Sequence, residues 1–229
     1  MSDDTTPRGA GDLAIVLHSH MPYVEGFGTY PFGEEWLFDA VVRSHLPVLD
    51  VARDLTMTVT PVLADQLEAE GVEGRLAEFL REHRLGAARR DVETADPDHV
   101  PAAQAEVDRY ERATALLERA GCSPRAAFAA ARDRGVSLIP SSATHAVLPL
   151  LATRAGLDVQ VDAGLASHRR RFGDSSGFWL PECAYRPGLE NDLARHGIDW
   201  FCIDQSRHES GDQALAPVQQ DEIVVVLAA

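Results

Sequence analysis

Short apolar segments alternate with helical segments along this chain, and this alternation constrains the fold more than any other feature. Continuous apolar runs with β-branched residues predict buried strands at Leu13–Leu17, Thr56–Thr60, Val136–Ile139, Phe178–Leu180, Trp200–Ile203 and Glu222–Leu227. Helical periodicity separates them at Glu34–Leu55 (with a kink or break at Pro47), Ala146–Ala155, Val159–Arg171 and Gly188–His196. The pattern predicts an α/β fold in which helices cover a parallel sheet, either doubly wound or closed into a barrel.

Residues 61–134 interrupt the alternation. They are rich in Ala, Leu, Glu and Arg and predict a helical excursion, broken at Gly71, Gly86, Pro97, Pro101 and 121–124. Residues 1–11 are polar and acidic, so they predict a flexible tail and not a secretory signal. Residues 12–229 then form one unit, in which the polar stretch 204–220 predicts a loop.

The length of the chain bears on how much of a barrel it can build. An eight-unit barrel takes about 250 residues, and the helical excursion leaves room for fewer units here. The chain also stops after Val224–Leu227, an apolar strand that no helix follows. We therefore expect a barrel truncated at its C-terminus, whose missing part is supplied by a separate segment.

Charge and residue usage exclude several classes of protein. The 229 residues contain 21 Lys plus Arg against 36 Asp plus Glu, and the net charge of −15 disfavours nucleic-acid and membrane partners. Every basic residue is Arg, which excludes Schiff-base chemistry on lysine and lysine-dependent phosphate loops. The odd set Cys122, Cys183 and Cys202 predicts neither disulfides nor a zinc knuckle, and a reducing cytoplasm is the expected location.

Reactive side chains follow the predicted strands. His18 and His20 follow the first, His145 the third, Glu182 the fourth and Asp204 the fifth. Because reactive groups in parallel barrels gather at the carboxyl ends of strands, these side chains are expected to converge on one rim.

The pair His18 and His20 allows three interpretations. Residues two apart in an extended segment face the same side, so both imidazoles can reach a common ligand. They could bind a metal, as a His-x-His pair does in some hydrolases, or contact a sugar, or satisfy structural hydrogen bonds.

The stretch from Trp179 to Tyr185 is the most informative. Glu182 ends an apolar strand behind Pro181, between two aromatic residues, as a catalytic carboxylate that acts on sugars requires. The alternative is a glutamate that caps the next helix. For Cys183, a small buried thiol is favoured over a nucleophile, because no base is suggested nearby.

Four ordered regions of the chain together resemble the signature regions of glycoside hydrolase family 57, with its alpha-1,4-glucan branching enzymes as the nearest subgroup. They are His18–Tyr23, Ser141–His145 with Leu148–Leu151, Ala166–Gly173 and Gly177–Tyr185. The resemblance implies an incomplete (β/α)7-type barrel that performs retaining chemistry on alpha-glucans such as glycogen or amylose. It also implies that neither a metal nor an organic cofactor takes part.

The resemblance also implies residue roles. Glu182 corresponds to the nucleophile, and His18, His20 and His145 correspond to histidines around the reacting sugar. Trp179 and Tyr185, which flank Glu182, are the predicted aromatic contacts to substrate.

The chain departs from the family pattern at two points. Ser137 stands where the family often has a glutamate that contacts substrate. The acid/base aspartate of the family is expected beyond residue 229, as is a helical domain. Asp204 is the strand-end carboxylate that could replace that aspartate, and we expect the chain alone to be inactive.

The predicted function is therefore that of the N-terminal barrel portion of an alpha-glucan branching enzyme of glycogen metabolism. Two rivals remain at this point. One is a metal-dependent hydrolase or deacetylase that uses His18 and His20, and the other is a non-catalytic glucan-binding module.

Overall fold

The computed structural model describes residues 13–204 and the backbone of strands 218–220 and 223–228. The predicted tail 1–11 and residues 205–217 of the predicted loop lie outside the described residues. The strands are β1 Val16–Ser19, β2 Thr56–Val59, β3 Ser137–Ile139, β4 Gly177–Phe178, β5 Trp200–Asp204, β6 Val218–Gln220 and β7 Ile223–Ala228. No helix in the described ranges is long and apolar enough to cross a membrane.

The parallel strands are neighbours in sequence order, which distinguishes a barrel from a doubly wound sheet. Strands β1, β2 and β3 pair in parallel, and so do β4, β5 and β7. A parallel bridge between Ser141 and Trp179 joins the two groups. Among the parallel strands that the structure describes, the order does not reverse, whereas a doubly wound sheet reverses at its switch point. The architecture is an incomplete (β/α)7-type barrel.

The loop predicted over residues 204–220 is wrong at its C-terminal end, where Val218–Gln220 form strand β6. Strand β6 pairs antiparallel with β7, and only two residues separate them, as in a β-hairpin. Its sequence, Val-Gln-Gln, has no apolar run. A strand that is last in the described order can pair without burying both faces, so it leaves no such signal.

The predicted first strand is displaced. The strand spans Val16–Ser19 and not Leu13–Leu17, so His18 lies within β1 and only His20 follows it. Parallel pairing sets these bounds, because β1 is in register with β2 from Val16 opposite Thr56 to Ser19 opposite Val59.

The helices are α1 Glu34–Ala40, α2 Leu46–Val51, α3 Pro61–Gln66, α4 Val72–Glu78, α5 Gly86–Thr94, α6 Val100–Arg119, α7 Pro124–Arg132, α8 Arg154–Phe172 and α9 Leu189–Arg195. A π-helical segment, Val41–His45, joins α1 to α2 immediately before Pro47. Since proline lacks an N–H and crowds the preceding turn, the wider π turn lets the helix continue. The predicted break at Gly86 is wrong, since a second π segment, Phe79–Leu85, joins α4 to α5.

The predicted helix Ala146–Ala155 is also wrong. This segment contains one 3-10 turn, Leu148–Leu150, and α8 begins only at Arg154. The Thr153 hydroxyl accepts the Gly156 N–H and caps α8, which places the start of the helix after the apolar residues. The helical excursion 61–134 is confirmed as helices α3 to α7.

Two hydrophobic clusters hold the fold. The larger packs β1–β3 against the helices from α1 to α7, and its largest fully buried side chains include Phe38, Phe79 and Phe128. The smaller lies around β4 and β5, with Phe178 and Phe201 at its centre. The carboxyl ends of the strands project beyond both clusters, where polar side chains can collect.

Candidate active site

Two threonines at the end of β2 hold the two histidines at the end of β1 by their Nδ1 atoms. The His18 Nδ1 lies 2.7 Å from the Thr58 Oγ1, and the His20 Nδ1 lies 3.0 Å from the Thr60 Oγ1. Both threonines are fully buried. The i, i+2 spacing at the ends of two parallel strands matches each histidine with a threonine.

His145 joins this pair from the turn after β3. Its Nε2 lies 3.1 Å from the His18 Nε2, and its ring stacks on that of His20 with centroids 3.9 Å apart and planes 12° apart. His145 has a left-handed backbone, with φ of 57°. The Ser142 carbonyl accepts the His145 N–H, and the Ser142 hydroxyl donates to the Ala146 carbonyl, so the turn is tied on both sides.

Crowding keeps the three imidazoles uncharged at neutral pH. Burial, and after it the proximity of His145, lower the pKa of His18 and of His20 to about 4. Burial also lowers the pKa of His145. The charge of Glu182 acts in the opposite direction on His20 and His145, which places this carboxylate near both rings. Neutral imidazoles suit hydrogen bonding to uncharged hydroxyls.

Trp179 closes one side of the cluster. Its ring stacks on His18 with centroids 4.6 Å apart and planes 15° apart. The Ser141 hydroxyl donates to the Trp179 carbonyl at 2.9 Å, and the Trp179 N–H donates to the Pro140 carbonyl at 2.9 Å. The Trp179 Nε1 is buried and has no hydrogen-bond partner among the described residues. Such a donor can serve a ligand.

Glu182 lies on a strained turn after β4. Its φ of 58° and ψ of 23° are left-handed, and the adjacent Cys183 has φ of 49°. A non-glycine residue in this region costs about 1–2 kcal/mol, and such strain clusters at functional sites. The Glu182 side chain is exposed. Because it lies within the turn and not at the start of α9, it does not cap that helix.

Asp204 and Glu182 both influence the thiol of Cys183, the residue after Glu182. The charges of Asp204 and Glu182 both raise the pKa of the Cys183 thiol, on which burial is the larger influence. A raised thiol pKa argues against a nucleophilic Cys183.

Tyr185 and Ser137 lie further from the cluster. The Tyr185 hydroxyl donates to the Glu190 carboxylate at 2.8 Å, and its ring packs 6.0 Å from that of Phe201. These contacts are structural, and the role of Tyr185 in substrate binding stays a prediction. Ser137 begins β3, so it lies at the opposite end of that strand from the rim.

An open groove runs beside the histidines. Its volume is about 560 Å³, and it is lined by His20, Pro22, Tyr23, Val62, Asp65, Ala143, Thr144 and His145. The buried Gln66 amide shapes its edge by accepting the Val24 N–H at 2.7 Å and donating to the Pro22 carbonyl at 3.1 Å. The groove therefore places the stacked imidazoles beside an exposed phenol and a carboxylate.

Sequence reasoning missed the two threonines, Tyr23 and Asp65. The threonines carried a signal, since their i, i+2 spacing repeats that of the histidines. Tyr23 lies at the end of the signature region His18–Tyr23 without a role assigned to it, and Asp65 carried no signal, because the helix α3 brings it to the groove. Among the described residues, no three His, Cys, Asp or Glu side chains are arranged to hold a metal ion.

Comparison with known proteins agrees with this geometry. The family model for glycosyl hydrolase family 57 matches residues 130–225. A 1,4-alpha-glucan branching enzyme of Thermococcus kodakarensis is 34% identical over 208 residues, covering 83% of this chain and 30% of the relative. A probable 1,4-alpha-glucan branching enzyme of Mycobacterium tuberculosis is 34% identical over 243 residues, covering 93% and 45%.

The fold comparison gives the same family. The crystal structure of a family 57 branching enzyme from Pyrococcus horikoshii superposes with a TM-score of 0.85 at 30% identity, covering 93% of this chain and 46% of that one. The chain spans less than half the length of each of these three proteins. In its sequence and its barrel fold, the chain therefore matches glycoside hydrolase family 57, and the three relatives compared with it are branching enzymes by name.

Proposed function

We propose that this chain carries the nucleophile of a retaining transglycosylation site for alpha-glucans, of the 1,4-alpha-glucan branching type. The observation that carries the proposal is Glu182, an exposed carboxylate on a left-handed turn beside neutral, stacked histidines. The branching enzymes among its relatives support the substrate class. Glycogen metabolism in the cytoplasm is the proposed setting.

The chemistry needs two displacements. The Glu182 carboxylate attacks the anomeric carbon, and a glucosyl ester forms as the glycosidic bond breaks. The departing oxygen takes the bonding electron pair and a proton from an acid. A glucan 6-hydroxyl then attacks the ester, gives its proton to the same group as base, and restores Glu182. Attack by water in its place gives hydrolysis.

The proton donor has two candidates. Retaining enzymes place it about 5–5.5 Å from the nucleophile. The family resemblance assigns it to an aspartate outside these 229 residues. Within the chain, Asp204 ends the strand beside β4, and its charge raises the pKa of the same thiol as the charge of Glu182 does.

The test of the nucleophile uses a donor whose leaving group needs no proton. We expect 5-fluoro-alpha-glucosyl fluoride to form a covalent adduct on Glu182, located by peptide mass spectrometry, because fluoride departs without acid catalysis. Glu182→Gln should abolish the adduct and Asp204→Asn should retain it. Labelling elsewhere, or labelling that survives Glu182→Gln, contradicts the proposal. A non-catalytic glucan-binding module would form no adduct.

The test of the donor uses amylose, whose leaving group does need a proton. New alpha-1,6 linkages and new reducing ends measure the turnover of amylose. If the donor lies outside the chain, this turnover should be lower by about 10²–10⁴-fold or more than that of an enzyme that has its acid/base residue. Rapid turnover that Asp204→Asn removes would assign the donor to Asp204.

A further inference from the structure

The hydroxyl groups of Thr58 and Thr60 stand between the buried sheet and the histidine cluster. Each is fully buried and lies within 3.0 Å of a histidine Nδ1. A hydroxyl has one hydrogen to donate and two lone pairs to accept with, so its other contacts decide which partner it donates to.

The Thr58 hydroxyl already accepts a backbone hydrogen. The Ser19 N–H donates to the Thr58 Oγ1 at 2.9 Å, and the other partner of this oxygen among the described residues is the His18 Nδ1. If His18 carried a proton on Nδ1, Thr58 would accept twice, and its own hydrogen would be buried without an acceptor. Because a buried unpaired donor is unfavourable, Thr58 donates to the His18 Nδ1.

The Thr60 hydroxyl is in the same situation. It accepts the Leu63 N–H at 3.3 Å as the cap of helix α3, and its other partner in the described ranges is the His20 Nδ1. Its hydrogen therefore points to the His20 Nδ1.

We propose that Thr58 and Thr60 are positioning residues that hold His18 and His20 with their protons on Nε2. The inference deepens the proposed function and rests on it for its catalytic meaning. The neutral state of both rings at pH 7 is a condition for it, and their lowered pKa values meet that condition.

The two tautomers have different consequences. The His18 Nε2–H faces the His145 Nε2 at 3.1 Å, so His145 accepts there and carries its own proton on Nδ1. A directed chain of hydrogen bonds then runs from Thr58 through His18 to His145. The His20 Nε2, on the ring edge opposite Thr60, offers an N–H donor to the groove. A ligand at this point is expected to supply an oxygen acceptor, such as a sugar hydroxyl.

The direct test reads the tautomers and needs no variant. In protein labelled with ¹⁵N-histidine, imidazole NMR at pH 7 should show protonated Nε2 on His18 and His20 and protonated Nδ1 on His145. A proton on Nδ1 of His18 or His20 overturns the proposal.

Matched variants test the cause. Thr58→Val removes the hydroxyl and should reduce the preference of His18 for Nε2–H by up to about tenfold, the usual worth of one hydrogen bond. Thr58→Ser should keep the wild-type tautomer, and the His20 signals serve as an internal reference. An unchanged His18 in a folded Thr58→Val protein overturns the proposal. If Thr58→Val does not fold, Thr60→Val and Thr60→Ser with readout at His20 decide in the same way.

Titration with maltoheptaose separates this inference from the proposed function. The wild type should bind with shifts at His20 and His145, and Thr60→Val should bind several-fold more weakly, with recovery in Thr60→Ser. Predicted tautomers without any maltoheptaose binding would refute the glucan function and leave the positioning role intact. Binding with the opposite tautomers would refute the positioning role alone.

Discussion

Two groups of histidines lie in different regions of this molecule, one at the strand-end rim and one in the hydrophobic core, and burial lowers the pKa values in both groups. His18 and His20 at the rim and His45 and His168 in the core all have pKa values of about 4. The two regions differ in the partners of their rings. At the rim, hydroxyl groups hold Nδ1 and the rings stack on one another, whereas the Nδ1 atoms of His45 and His168 have no partner among the described residues.

The comparison teaches that a lowered pKa does not by itself identify a functional histidine. His45 packs edge-on against Phe128 with centroids 5.5 Å apart, and His168 packs 5.3 Å from Phe172, as apolar side chains would. The rim adds backbone strain, since His145, Glu182 and Cys183 are all left-handed. Convergent polar contacts together with strain distinguish the site from the core.

The largest expected effect is on the rate of glucosylation at the rim, which one substitution should lower with little change in stability. Glu182→Gln should lower the rate of glucosylation by the fluoride donor on the order of 10⁴-fold or more, because the attacking oxygen is lost. Its free energy of unfolding should change by less than about 1 kcal/mol, since the side chain is exposed. Urea unfolding measures the free energy, and mass spectrometry measures the rate of labelling. A large loss of stability in Glu182→Gln would contradict the expectation that this residue serves chemistry and not the fold.

In the core, a substitution is expected to lower the free energy of unfolding and to leave the labelling rate of Glu182 unchanged. Phe128 is fully buried, so Phe128→Ala should lower the free energy of unfolding by about 3–5 kcal/mol. Where the variant is still folded, labelling of Glu182 should proceed at the wild-type rate, because Phe128 packs in the cluster around the helical excursion. A matched loss of labelling would show that the core and the rim are coupled.

Lowering the pH should destabilise the fold through the histidines of both regions, and more through His45 and His168 in the core, because the rim rings are more exposed. The unfolded chain binds protons on His45 and His168 below about pH 6.5, and the folded chain binds them only near pH 4. Stability is thus fully present above pH 6.5 and falls as the pH drops toward 4, by about 2 kcal/mol per buried histidine between pH 7 and pH 5. Urea unfolding across this range measures the slope, and His45→Leu should reduce it; an unchanged slope would contradict the assignment.

The smallest expected effect is the gain in stability when backbone strain is relieved, at Glu182 in the rim or at Cys122 outside it. Cys122 is left-handed, with φ of 63°, and exposed between α6 and α7. Cys122→Gly and Glu182→Gly should each raise the free energy of unfolding by about 0.5–1 kcal/mol, because glycine adopts this conformation without strain. Thermal unfolding measures the gain. Only Glu182→Gly should lose labelling by the fluoride donor. An equal loss in Cys122→Gly would contradict the inference that the rim alone carries the chemistry.

Much of the fold could be predicted from the sequence, but the bounds of its elements could not. The strand at Thr56 was predicted to within one residue, because its apolar run and its pairing coincide. The first strand was misplaced, because His18 is polar and yet pairs within β1. The helix predicted at Ala146–Ala155 failed because tertiary packing buries Leu148 in a single 3-10 turn and leaves Leu150 exposed, which no helical periodicity indicates.

The sequence by itself determined the alternation of strands and helices, and with it the common rim, because chain direction places the carboxyl ends of parallel strands together. It therefore selected His18, His20, His145 and Glu182 as candidates that would meet. Only the tertiary structure decided how they meet: which threonine faces which ring, which rings stack, and where the groove opens. Those contacts join residues 40 to 127 positions apart, and no local pattern specifies them, because strand register and helix packing set their distances.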